Sequence, residues 1–234
     1  MTVSARGPGA DHGVQFRTVG RRLVADTHLP GWLRPLVSRI DGATTDDVLP
    51  FRMRFGPVRR RSAVLILLAE GPEGPDLLLT ARAATLRSHA GQPAFPGGAS
   101  DPGEDPIATA LRESWEETGV DPASVRPAAL LPDLYLMPSE YLVSPVLAYW
   151  PDPGPVAPVD PAETAAVARV PISALADPGH RGRVRHPSGY TGPAFEVADM
   201  LVWGFTAGVI DGLLDLAGWS RPWDPDRLLE LPVR

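Results

Sequence analysis

The 234-residue sequence contains no cysteine, no lysine and no asparagine. The lack of cysteine excludes thiol catalysis, thiolate-bound zinc, iron–sulfur clusters and disulfides. The lack of lysine excludes a Walker-type phosphate loop, Schiff-base chemistry and a kinase-type lysine. All 22 basic residues are therefore arginine, and cationic recognition of phosphate falls to the guanidinium fork, which binds oxyanions bidentately. Without asparagine there is no N-glycosylation acceptor. Long uninterrupted apolar runs are missing too. The most apolar stretch, 201–219, carries Asp211 and Asp215, which a membrane span would not hold unpaired. Residues 1–13 contain Arg6 with no apolar run behind it, so they do not read as a signal peptide. A net charge of −6 argues against a nonspecific coat on nucleic acid or anionic membrane. The six tryptophans are scattered, without the basic–aromatic interleaving of an RNA binder. A cytoplasmic protein with no nucleic-acid and no membrane partner is expected.

What is present organises as one large domain with extensions. Residues 1–50 read as an N-terminal extension whose one short helix spans 32–40, with Trp32, Leu33, Leu36, Val37 and Ile40 at helical spacing. The run SAVLILL at 62–68 is a buried strand, EGPEGP at 70–75 a turn, and 76–82 the returning strand. A helix is predicted over 107–118, closed by Gly119, with Ala108, Leu111 and Trp115 as its core-facing stripe. Strands follow at 128–131, 141–150 and 165–170, a proline-rich loop at 151–161, and a polar loop or hairpin at 181–193. A last helix at 204–216 carries Phe205, Val209, Leu213 and Leu216 on one face, and 219–234 is a tail. Strands mixed with two principal helices predict an α/β layered domain over 51–218. The arginines at 52, 54, 59, 60 and 61 read as a solvated strand entrance.

The chemistry is concentrated in 97–120, GGASDPGEDPIATALRESWEETGV. On its helix Glu113, Glu116 and Glu117 stand at i, i+3 and i+4, within about a third of a turn of one another. Like charges so spaced destabilise a helix by roughly 0.2–0.5 kcal/mol per pair, and a hard divalent cation such as Mg²⁺ would offset that through carboxylate oxygens. Standing alone, E-x-x-E-E usually means a solvated acidic face. Here it is not alone. Gly98, five residues, Glu104, seven residues, then Arg112-Glu113-Ser114-Trp115-Glu116-Glu117-Thr118-Gly119-Val120 resembles the Nudix box, G-x5-E-x7-R-E-U-x-E-E-x-G-U, where U is aliphatic. Ser114 is the one departure, at a packing position.

The resemblance implies an α/β/α sandwich with a mixed sheet, and hydrolysis of a nucleoside diphosphate linked to another moiety, with Mg²⁺ or Mn²⁺. It implies that Glu113, Glu116 and Glu117 ligate the metal, that Glu104 assists directly or through water, and that the Gly98 carbonyl coordinates. Arg112 would orient a glutamate, so that Glu113, Arg112 and Glu117 form the catalytic set. The preceding segment, Leu78-Leu79-Thr80-Ala81-Arg82-Ala83 with Arg87, Gly91 and Phe95-Pro96-Gly97-Gly98, is similar to the second signature of the coenzyme A diphosphatase subfamily, L-L-T-x-R-[SA]-x3-R-x3-G-x3-F-P-G-G. That similarity implies coenzyme A or acyl-coenzyme A as substrate, with Arg82, Arg87, Gly91, Phe95 and Gly97 on the substrate side. His89 is a further donor nearby, and Trp203-Gly204-Phe205-Thr206-Ala207 resembles that subfamily's last helix start. Alternatives at this point are another nucleoside diphosphate derivative, such as ADP-ribose or NADH, and a non-catalytic Nudix-fold binding module. Glu113, Glu140 and Glu163 all stand open as the general base, and the oligomeric state, a homodimer included, is undetermined.

Overall fold

The computed structural model describes residues 16–49, 56–83, 91–137, 139–187 and 189–231. Through them the chain forms β1 (Arg21–Arg22), α1 (Arg34–Ile40), α2 (Thr45–Val48), β2 (Arg60–Gly71), β3 (Gly74–Arg82), β4 (Pro93–Ala94), β5 (Gly97–Ala99) and α3 (Pro106–Thr118). There follow β6 (Arg126–Leu130), β7 (Leu134–Leu136), β8 (Tyr141–Trp150), β9 (Thr164–Pro171), α4 (Ile172–Leu175), β10 (Arg181–Arg185), β11 (Thr191–Val197), β12 (Met200–Trp203) and α5 (Gly204–Ala217). The large sheet has the order β1-β6-β8-β2-β3-β4, with β5 on β2, β7 on β8 and β9 on β3. β2 and β8 run parallel while the other pairs are antiparallel, so the sheet is mixed. A second, three-stranded sheet has the order β10-β11-β12.

The unbroken apolar run of β2 follows from cover on both faces. Leu65 and Leu67 point into one core with Ala110 of α3. Their neighbours Ile66 and Leu68 point into the other, with Leu36, Val37 and Ile40 of α1 and Val209, Ile210 and Leu213 of α5. This is the α/β/α sandwich expected from the sequence. β2 and β3 pair only near their turn, from Leu68–Leu77 to Gly71–Gly74. Further along, β5 takes over the partner role on β2 between Ser62–Ala99 and Val64–Gly97, and β4 pairs with β3 at Thr80–Ala94. The segment 93–99 thus fills the gap between two diverging strands and delivers Gly97 and Gly98 to the foot of α3.

The segments outside 51–218 join the same packing. Leu33, Leu36, Val37, Ile40, Val48 and Leu49 lie in the α5-side core. Arg17 is tied to the buried Asp133, its amide to Oδ2 and its guanidinium to Oδ1, and Oδ1 also accepts from Ser144 Oγ at 2.7 Å. At the other terminus, the Arg183 amide donates to the Arg227 carbonyl and the Leu229 amide to the Arg183 carbonyl, each at 2.8 Å. The helix expected over 32–40 begins at Arg34, and the preceding turn still packs Trp32 edge-on against Tyr149 at 6.1 Å. The stretch 181–193 is the hairpin alternative, β10 and β11.

One expectation about α3 fails. Ala108 is exposed and Trp115 is 56% exposed, while Ala110, Ser114 and Thr118 are buried. The apolar stripe therefore lies at i, i+4, i+8 through small residues, not through tryptophan. Small side chains let the helix approach β2 and β5 closely, and Glu113 and Glu117 reach the Gly97–Gly98 strand only at that phase. Leu111 keeps the expected role, packed against the same core. Ser114, at the aliphatic position of the motif, is a packing residue with its hydroxyl unpartnered among the described residues.

Candidate active site

α3 starts where Asp105 accepts from the Ile107 and Ala108 amides at 2.8 and 3.0 Å, with Pro106 at its first turn. It ends at Gly119, in a left-handed conformation with φ +76°. Between these caps the motif residues fall into two groups.

The first group centres on Arg112. Its Nε and Nη2 donate to the two oxygens of Glu104, each at 3.0 Å, a fork-to-fork pair. Nη1 donates to Glu113 at 2.9 Å and to Glu116 at 3.1 Å, and Nη2 also reaches the Ala99 carbonyl at 3.1 Å. One guanidinium thereby serves three carboxylates and the β5 backbone. Glu104 further accepts from Thr109 Oγ1 at 2.8 Å and from the Asp101 amide at 3.1 Å. The Arg112 bonds, reinforced by these donors, hold its carboxyl down at about 2. In return the carboxylates hold the Arg112 guanidinium far above its ordinary value.

The second group lies toward the C-terminal end of α3. Burial pushes the Glu117 carboxyl up to about 7; the Gly97 N–H, donating at 3.2 Å, and the Arg82 charge oppose this, while the Glu113 and Glu163 charges add to it. Burial also raises Glu113, against the pull of Arg112. Gly97 and Gly98 are demanded by close approach. A Cβ at Gly97 would stand 2.7 Å from Val64 Cα, and one at Gly98 would overlap the Glu113 carboxylate.

The carboxylates differ in what they leave free. Among the described residues, one oxygen each of Glu113, Glu116 and Glu117 accepts a hydrogen bond and the other accepts none. Both oxygens of Glu104 are occupied. Three uncommitted hard oxygens on adjacent turns fit a divalent cation of the Mg²⁺ or Mn²⁺ type. Glu104 fits a supporting role behind them. Among the described residues no three acidic or histidine side chains are already gathered as an ion-sized ligand group, because Arg112 holds Glu113 and Glu116 to itself.

The other residues singled out by the sequence are placed as follows. Arg82, at the end of β3, acts by its charge on Glu117. The Gly91 amide donates to the Arg82 carbonyl at 3.0 Å, with φ +67°. Phe95 is buried in the α5-side core and packs rather than facing the cleft. Arg87 and His89 lie outside the described residues. The Glu163 charge acts on Glu117, whereas Glu140 precedes β8 with its carbonyl accepting from the Arg59 amide at 2.9 Å. Thr109 is a site residue that sequence reasoning missed. Its hydroxyl sits between Glu104 and Ser100, a contact between loop and helix that no spacing rule announces.

Comparison with known proteins identifies the family. The NUDIX domain model matches residues 59–188. An uncharacterized Nudix hydrolase, NudL, of Photorhabdus laumondii is 40% identical over 169 residues, which cover 68% of this chain and 86% of that protein. NudL of Escherichia coli K12, also described as uncharacterized, is 39% identical over 158 residues, covering 64% and 79%. Among solved structures, the Nudix hydrolase RenU of M. smegmatis aligns with 78% of this chain and 94% of its own, at 20% identity and a TM-score of 0.48. With the domain model matching more than half of its length and a 40% identical relative spanning 68% of it, the chain belongs to the Nudix hydrolases, which act on phosphoric anhydrides.

Proposed function

We propose that the protein hydrolyses the diphosphate of coenzyme A or acyl-coenzyme A, giving 3′,5′-ADP and 4′-phosphopantetheine or its acyl form. The observation that carries this reading is the continuity of the second signature with the box. Its described residues lie on β3, at Gly91 and on β5, where Gly97 donates to Glu117. Arg82, a fixed position of that signature, places a cation within electrostatic reach of the same Glu117. A substrate carrying a diphosphate and a further phosphate needs such cations beside the acidic helix, and here they can only be arginines.

Glu113, Glu116 and Glu117 would hold Mg²⁺ or Mn²⁺, with the Gly98 carbonyl as a further oxygen. Bound there, the ion supplies charge neutralisation at the diphosphate and a lowered pKa for bound water. Arg112 holds Glu113 and Glu116 in place, and Glu104 holds Arg112. The half-buried Glu117 reacts to its surroundings most strongly, since desolvation makes the bare carboxylate costly and a cation beside it relieves that cost.

The test is a panel of coenzyme A, dephospho-coenzyme A, ADP-ribose and NADH, with Mg²⁺ and with Mn²⁺, and products identified by mass. Coenzyme A is expected to be the best substrate. Arg82→Ala is expected to lower its kcat/KM by roughly tenfold to a hundredfold, the equivalent of one charge-assisted contact. Faster cleavage of ADP-ribose or NADH would move the substrate assignment and leave the hydrolase assignment standing.

A further inference from the structure

Two hydroxyls outside the fixed positions of the box lead into it. Thr109 precedes Arg112 by three residues and Glu113 by four, one helical turn before both, and is fully buried. Its Oγ1 lies 2.8 Å from Glu104 Oε2, 3.0 Å from Ser100 Oγ and 3.2 Å from the Asp105 carbonyl. A threonine inside a helix ordinarily turns its hydroxyl to the carbonyl four residues back, here Asp105. Glu104 is the better acceptor for the single hydroxyl hydrogen, being nearer and charged. A carboxylate only accepts, so Thr109 donates in that bond, and the lone pairs of its oxygen are left for the Ser100 hydroxyl. Ser100 is itself anchored to β2, its amide donating to the Arg61 carbonyl at 3.0 Å.

The consequence falls on Arg112. Glu104 sets the plane of that guanidinium through Nε and Nη2, and the remaining nitrogen, Nη1, then points at Glu113 and Glu116. Glu104 must therefore be fixed relative to the helix that carries those two glutamates. Its other donor, the Asp101 amide, cannot do this, because Asp101 belongs to the same loop and its carbonyl also accepts from the Glu104 amide at 3.0 Å. The two move together. Apart from Arg112 itself, Thr109 is the donor that ties the Glu104 carboxylate to α3 among the described residues, and Ser100 ties the same junction to β2.

We propose that Thr109 is a positioning residue of the hydrolysis: its hydroxyl, held by Ser100, fixes the Glu104–Arg112 fork and so fixes where Glu113 and Glu116 present their free oxygens to a divalent cation. This rests on the reading of those glutamates as cation ligands given above. Thr109 acts only through Glu104 and Arg112. It falls among the seven variable residues between them in the motif, so no fixed position of the box marks it. Without its hydroxyl the fork is free to tilt, and Glu113 and Glu116 follow the guanidinium. Glu117 accepts from the Gly97 amide instead and keeps its place, so the loss is partial.

The experiment compares Thr109→Val, Thr109→Ala and Thr109→Ser with the wild type. The Mn²⁺ dissociation constant is measured by titration without substrate, Tm in chelator, and kcat and KM on whichever substrate of the panel the wild type cleaves fastest. Val keeps the shape of the side chain and Ala is the better helix former, but both remove the hydroxyl. Each is expected to weaken Mn²⁺ binding and lower kcat by roughly tenfold to a hundredfold, the scale of a contact that orients a metal ligand. KM should stay within about threefold. Thr109→Ser keeps the hydroxyl and loses a buried methyl. It should lower Tm by about 2–4 °C and leave Mn²⁺ affinity and kcat within about threefold of wild type. On a Glu104→Gln background, Thr109→Val should shift the Mn²⁺ constant by less than about twofold, because the contact it acts through is already altered. The proposal is overturned if Thr109→Val and Thr109→Ala bind Mn²⁺ as the wild type does, or if Thr109→Ser loses as much affinity as they do, which would leave Thr109 a packing residue. A wild type that binds Mn²⁺ and cleaves nothing on the panel overturns the diphosphatase reading alone, since the Mn²⁺ constants of the variants still decide for or against Thr109. A wild type that binds no Mn²⁺ overturns both.

Discussion

The two ends of the box helix carry the same functional group in opposite surroundings. Toward the N-terminal end, Glu104 is partly shielded, but donors from Arg112, Thr109 and Asp101 converge on it, and its pKa sits at about 2. Toward the C-terminal end, Glu117 is half-buried and, among the described residues, accepts one backbone N–H, and desolvation pushes its pKa up to about 7. Burial raises a carboxyl in both places, and only the supply of donors decides which way the balance falls. A carboxylate with both oxygens bonded is a strut. A desolvated, half-buried carboxylate with an oxygen to spare is poised to exchange a proton for a cation. The motif writes both as glutamate, and the difference lies in what the loop and strand bring to each.

The strongest way to break this contrast is Glu117→Gln, which keeps the size and removes the charge. It is expected to lower kcat by orders of magnitude in steady-state assays while the fold is retained. The same change should stabilise the metal-free protein at alkaline pH. Because the folded pKa of Glu117 is raised, its ionisation opposes folding, and wild-type stability falls as pH rises from the ordinary carboxylate range through about 7. Melting in chelator at pH 5 and pH 8 checks this: Gln should gain on the wild type at pH 8 and not at pH 5.

At the other end, Arg112→Lys keeps a cation but loses the fork that serves Glu104, Glu113 and Glu116 at once. A kcat loss of roughly tenfold to a hundredfold, the scale of a ligand-orienting contact, is expected with a smaller change in KM. A rise in KM at constant kcat would instead place Arg112 against substrate. The Glu104 strut has the opposite pH signature to Glu117. Its lowered pKa adds stability above the ordinary carboxylate range, and that part is lost as pH falls toward 2. Glu104→Gln should therefore flatten the acid side of the stability curve.

Smaller effects sharpen the picture of the helix's two faces. Ser114→Ala removes a buried hydroxyl with no partner among the described residues and should raise stability by about 1 kcal/mol in denaturant titration. Trp115→Ala should change stability by no more than about 0.5 kcal/mol, as for an exposed surface residue. A core tryptophan would lose about 3–5 kcal/mol, so this variant separates the two possible phases of the helix directly.

Much of the molecule was legible in order of residues alone. The apolar run of β2, the turn after it, the limits of α3 and α5 and the α/β layering they imply follow from local rules: periodicity, turn chemistry and helix stops. So does the acidic face, because glutamates at i, i+3 and i+4 share a side of any helix. The exposure of Trp115 was not legible, since periodicity names an amphipathic helix but an acidic side and an apolar side leave the helix free to turn by a residue or so. Contact settled the phase: Gly97 and Gly98 admit Glu117 and Glu113 only when Ala110 and Ser114 face β2. The packing of Phe95 and the occupation of Glu104 by Arg112 and Thr109 were likewise decided in three dimensions. The sequence by itself determined which groups the site contains, because covalent order sets residue types and their spacing on a helix. Tertiary structure alone decided which of those groups are occupied and which are free, because hydrogen-bond donors and desolvation come from segments that only folding brings together.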